Sequence, residues 1–198
     1  MIDWLINYPL LLGLITVLLV LGDWMLTVAQ EKEVANHYFE HYQSYPTNTI
    51  EGNPTLQKSV KKRHIVNPKQ FIVAIVVGVW VAYAIPKMSI GLRDSFLGYV
   101  WGLFLIVITQ HLSNLIGYKA GRKGIHGKLW MHQRTGFIIQ SGRYFSTSFF
   151  LLILSILSES HFIYGVTIAG FTSAIRQYFW IRKVPKIKED DRPPNQEI

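Results

Sequence analysis

The chain has 198 residues, 49% of them apolar and 16% charged, with a mean hydropathy of +0.21 and a net charge of +8. That is the length of one domain, but it is too apolar for an average soluble one. The sequence contains no cysteine, which excludes a disulfide framework, a thiolate metal site and a cysteine nucleophile and leaves chemistry to His, Asp, Glu, Ser, Thr, Tyr and Lys.

The first apolar run, about residues 4–29, has no charge between Asp3 and Asp23 and is long enough to cross a bilayer. The residues before it are acidic and no A-x-A site follows, so it reads as an uncleaved span. Residues 30–69 form a polar segment too long for a plain turn. Its first part holds no helix breaker and is expected to continue the first helix as far as Pro46; a basic group, Lys58, Lys61, Lys62 and Arg63, closes it. A short Val/Ile-rich span follows at 70–86. A third, at 95–117, carries Gly98-x-x-x-Gly102, a spacing that permits close helix approach. A glycine-punctuated basic loop leads to a fourth span at 137–158, and a tight Ser-Glu-Ser-His turn to a fifth at 162–181. The tail, 184–198, is charged and proline-rich and is expected to be disordered.

The basic clusters fall in 30–69, in the loop around Arg122 and in the tail, whereas the amino terminus and the turn near Ser160 hold none. Lysine and arginine are retained on the cytoplasmic side. The expectation is an all-α integral membrane domain over 1–183, with five transmembrane helices, the N-terminus outside and the C-terminus cytoplasmic, in a cell (inner) membrane. The lipid bilayer is then the partner that accounts for the charge, without nucleic acid. A homo-oligomer or a second membrane protein is a further candidate partner, through the small residues of the third span.

Polar side chains in lipid are costly unless they face the bundle interior or water, so their depth is informative. Asp23, His111, Arg143 and Arg176 all lie about 6–9 Å in from the cytoplasmic ends of these spans. Thr27, Asn114, Gln140, Ser141, Thr172, Ser173 and Gln177 sit near the same level, while the outer halves are almost wholly apolar. A polar cavity facing the cytoplasm would produce this asymmetry, with Asp23 paired to Arg143, Arg176 or both. The alternative is that the two arginines snorkel to the headgroups. On the first helix Asp23, Thr27, Gln30, His37 and His41 are spaced to form one stripe. His37, Glu40 and His41 match the H-x-x-E-H pattern of the inverted zinc peptidases, in which two histidines one turn apart hold a metal, so a divalent metal is the candidate cofactor, with Glu33, Glu51 or His64 as further ligand. Against this stands an exposed polar helix with incidental histidines.

Asp23 with Thr27, Tyr45 through Glu51-Gly52-Asn53-Pro54, and His111-Leu-Ser-Asn114 resemble a family of small uncharacterised prokaryotic multipass membrane proteins that carry D-x-x-x-T, a YELNP-like loop and an HLRN-like helix. The resemblance spans about the first 120 residues and departs from the family at Gly52 and Ser113. It implies that Asp23, Glu51, Asn53, His111 and Asn114 belong together. Three functions remain open: a binding or interaction protein with a cytoplasm-facing polar cavity, which ranks first; a metal- or His/Asp-dependent hydrolase acting on a lipid or membrane segment, with His111 or His41 as base; and a small-molecule or ion permeation component.

Overall fold

The computed structural model describes residues 3–38, 42–45, 56–124 and 129–186. The chain is almost entirely helical there. A short helix α1 (Asp3–Ile6) precedes α2 (Pro9–Glu33). The first apolar run is therefore broken: Pro9 opens a new helix and holds Tyr8 outside helical geometry, at φ −123° and ψ 70°. Leu5 and Ile6 of α1 are buried with Leu12, Val81, Ile85, Leu97 and Val100 in the apolar core at that end.

Helix α2 also stops earlier than its composition predicts. Regular α-helix ends at Glu33, a π-helical turn covers Val34–Tyr38, and Tyr42–Tyr45 is a strand, β1. That strand pairs in parallel with β2 (Leu129–His132), Tyr42 opposite Leu129 and Tyr45 opposite His132. Strand pairing between two loops far apart in sequence thus overrides the helix propensity of the segment.

The remaining helices are α3 (Gln57–Lys61), α4 (Pro68–Ala84), α5 (Ile90–Gly124), α6 (Gln133–Ser158) and α7 (His161–Lys183). Their ends follow local chemistry. Asn67 caps α4 by accepting from the Lys69 amide at 3.1 Å, with Pro68 in the first turn. The expected turn between the last two helices forms at Glu159, in the left-handed conformation (φ 50°), with the Ser160 hydroxyl oxygen accepting from the Ile163 amide at 3.3 Å.

The helices lie in the spatial order α4, α2, α5, α7, α6. Polar ties fix α2 against α5, among them the Trp101 indole donating to Thr16 Oγ1 at 2.9 Å and His111 meeting Thr27 at 3.0 Å. Partners ten residues apart on α5 meet residues eleven apart on α2, so the two helices run parallel. Glycines set the other spacings. A Cβ on Gly78 of α4 would lie 2.8 Å from the Gly13 carbonyl oxygen of α2, and one on Gly102 of α5 would lie 2.8 Å from the Val166 Cα of α7. Gly98 lies against the Phe162 carbonyl and Gly170 against Ser148 of α6. The Gly98-x-x-x-Gly102 pattern is therefore covered by α7 of the same chain. It is not a free face for a second copy.

Among the described residues, four helical segments are long and apolar enough to cross a membrane: Pro9–Asn36, Pro68–Lys87, Ile90–Gly121 and Gln133–Ser158. Large apolar side chains stand exposed around the outside, among them Phe71, Ile72, Val76 and Val79 on α4 and Phe149, Phe150, Ile156 and Leu157 on α6. Exposed apolar surface on this scale marks a membrane protein. Helix α7, with 23 residues, spans roughly 34 Å. It is less apolar because it is wedged between α5 and α6, and its buried stripe is Gly165, Thr167, Ala169, Gly170, Ser173, Ala174 and Gln177. Small side chains let its neighbours approach.

Candidate polar cavity

One cavity of about 320 Å³ lies at the end of the row that holds the C-termini of α2, α5 and α7 and the N-termini of α4 and α6. Every one of these five helices contributes to its wall. Of the residues anticipated from sequence, Asp23, Thr27, His111, Asn114, Gln140, Arg176 and Gln177 line it. The aromatic part of the wall, Trp24, Phe104, Tyr118, Tyr144 and Trp180, was not anticipated. In a membrane helix an aromatic side chain reads equally well as lipid-facing, so its role follows only from its neighbours.

His111 is the centre of the polar wall. Thr27 Oγ1 donates to the Asp23 carbonyl oxygen at 2.9 Å, the usual back-bond of a helical threonine, so toward His111 Nε2 at 3.0 Å it accepts. On the other side of the ring the Gln30 amide nitrogen donates to Nδ1. The two contacts together place the imidazole proton on Nε2 and engage both ring nitrogens. Gln30 is 2% exposed and Thr27 6%, so this cluster is a polar clamp between α2 and α5 in a low-dielectric setting. Its hydrogen bonds are then hard to replace with water.

Asp23 Oδ1 lies 3.2 Å from the same Nε2. The N–H is aimed at Thr27, however, and Oδ1 is buried without a hydrogen-bond partner. The expected pairing of Asp23 with arginine is not what forms. Arg143 is exposed on α6, outside the cavity, and α5 and α7 stand between α6 and α2. Arg176 does line the cavity, but its guanidinium lies over the Trp180 ring, 5.2 Å from the centroid. Gln177 is 3% exposed, and its carbonyl oxygen has no partner. Gln140 donates to the Tyr144 hydroxyl at 3.2 Å, and Ser141 to the Ala174 carbonyl oxygen at 3.1 Å.

The inner apolar cluster ties the basic segment to this site. Trp24 and Val28 of α2 bury Val60 of α3, and the Trp24 indole donates to the Ile65 carbonyl oxygen at 2.8 Å. Leu56, immediately before α3, lines the cavity wall. Glu40, His41, Glu51 and Asn53 lie outside the described residues, as does the His37 side chain. Among the described residues no group of three His, Asp or Glu could hold a metal ion. Comparison with family models, with curated proteins and with solved structures finds no match to this chain.

Proposed function

We propose that the protein is a five-span cell-membrane protein, N-terminus outside and C-terminus cytoplasmic, that binds a small polar ligand in this cavity from the cytoplasmic side. Two facts support α7 as the fifth span. It packs along both α5 and α6, and Gly98 and Gly102 meet successive turns of it in parallel register. The observation that carries the binding function is Gln177: an amide 97% withdrawn from solvent, in the wall of a cavity at the lower end of the size range of ligand sites, with its carbonyl oxygen unpaired. An unpaired buried polar group costs about 1–3 kcal/mol, and ligand sites are where such costs are retained. Of the two bases open to the hydrolase alternative, His111 has both ring nitrogens engaged, by Thr27 and Gln30, which favours binding over catalysis at this residue, and His41 lies outside the described residues.

Two experiments test this. In detergent without added ligand, Gln177→Met, similar in volume, should raise stability by about 1 kcal/mol; an unchanged or lowered unfolding midpoint would remove the argument for a binding site. For the orientation, the sequence is free of cysteine, so single cysteines at Ser89 and Ser160 should react with an impermeant reagent from outside the cell, and a reporter after Ile198 should read as cytoplasmic. Outside labelling at Gly124 would overturn the topology.

A further inference from the structure

The five-helix row curls around the cavity but does not close. Helix α4 packs on α2 and α6 on α7, and among the described residues no extensive contact joins α4 to α6, although Gln70 and Val73 of α4 and Gln140 and Tyr144 of α6 all reach the cavity. The gap between them therefore faces sideways. Val73, which lines the cavity, is exposed and apolar, and the exposed residues beside these cavity-lining positions in sequence are apolar too: Phe71 and Ile72 on α4, Ile138 and Ile139 on α6. A ligand wholly from water has no need of an apolar side opening. A lipid has, since its headgroup can enter a polar cavity only if its chains leave through the side.

The unpaired groups indicate the headgroup. Gln177 Oε1 has no hydrogen-bond partner, and Asp23 Oδ1 has only His111 Nε2 nearby, at 3.2 Å and with its N–H turned to Thr27; one of these acceptors belongs to a carboxylate, so the complementary group is a cationic donor. Arg176, exposed at the edge of the same wall, is the complementary group for a phosphate. At about 320 Å³ the cavity suits a headgroup and not a whole lipid.

We infer that the ligand is a phospholipid bearing a primary ammonium, of the phosphatidylethanolamine type, which enters between α4 and α6 with its ammonium on Asp23 and Gln177 and its phosphate on Arg176. The inference rests on the cavity being a binding site. Its test is titration of the delipidated, detergent-solubilised protein with phosphatidylethanolamine, phosphatidylcholine and soluble glycerophosphoethanolamine, read by native mass spectrometry and by the unfolding midpoint.

Phosphatidylethanolamine should bind about tenfold more tightly than phosphatidylcholine, whose choline has no N–H to donate. Asp23→Asn should remove most of that preference, and Arg176→Gln should weaken both lipids alike. If Asp23→Asn does not fold, Gln177→Met carries the test and should reduce the preference. Equal binding of the two lipids, or tighter binding of phosphatidylcholine, would overturn the headgroup assignment. Binding of glycerophosphoethanolamine as tight as that of the lipid would overturn lateral entry while leaving the cavity a binding site. Binding of none of the three would overturn the inference, and the stability of Gln177→Met would still decide separately whether the cavity is a ligand site.

Discussion

Gly165→Ala is expected to be the most damaging single methyl group in the protein, lowering stability by about 3 kcal/mol or more and sharply reducing the yield of folded material. The added Cβ would fall on the Ser95 carbonyl oxygen and lie 2.7 Å from the Tyr99 amide nitrogen and 2.8 Å from the Ser95 carbonyl carbon. All of these are backbone atoms of α5, so no side chain can turn aside. The helices must separate. Overpacking costs about 1–3 kcal/mol where side chains can adjust, and a backbone clash belongs at or above the upper end. Because α5 and α7 are the middle of the row, their separation also moves α6 and opens the cavity.

The matching control is Gly142→Ala on α6, where an added Cβ meets nothing within 4 Å. Relieved of the helix-interior glycine, that variant should gain up to about 1 kcal/mol. The same chemical change is thus expected to act with opposite sign at two positions, as measured by thermal unfolding monitored by size-exclusion chromatography. If Gly165→Ala unfolds at or above the wild-type midpoint, the close approach of α5 and α7 is wrong.

The second large effect is expected at His111. His111→Ala leaves Gln30 and Thr27, both nearly fully buried, without their partner across the α2–α5 interface. Each unpaired group costs about 1–3 kcal/mol, so the total for the two should be about 2–6 kcal/mol. The decisive measurement is a pair of double-mutant cycles. His111→Ala with Thr27→Val should show a coupling of about 1 kcal/mol or more, as direct neighbours do, whereas Asp23→Asn with Arg143→Gln should be additive within about 0.5 kcal/mol. The reverse result, with Asp23 coupled to Arg143 and His111 independent of Thr27, would restore an arginine-neutralised layer and remove the clamp.

The sequence by itself determined that the chain is a helical membrane protein and where most of its helices lie, because a bilayer-length apolar run and its punctuation are local properties. Pro68 and Asn67 start α4, and the Ser-Glu-Ser-His stretch turns between α6 and α7. It also located the polar level at which Asp23, Thr27, His111, Asn114, Arg176 and Gln177 meet one cavity, since depth along a helix is read by counting residues at 1.5 Å each.

Which side chains face each other was decided only in three dimensions. In lipid, the face toward a neighbouring helix and the face toward the acyl chains are both apolar, so the 3.6-residue pattern that orients a soluble helix is nearly absent. Helix order was set instead by small residues such as Gly13, Gly78, Gly98 and Gly165, matched across interfaces. That order put α5, not α6, beside α2, and so gave Asp23 a histidine neighbour in place of Arg143. It brought Trp24, Tyr144 and Trp180 to the cavity. It also turned the end of a helix-prone segment into β1, because a strand partner 87 residues away satisfies its backbone hydrogen bonds, and no local signal reports a partner at that distance.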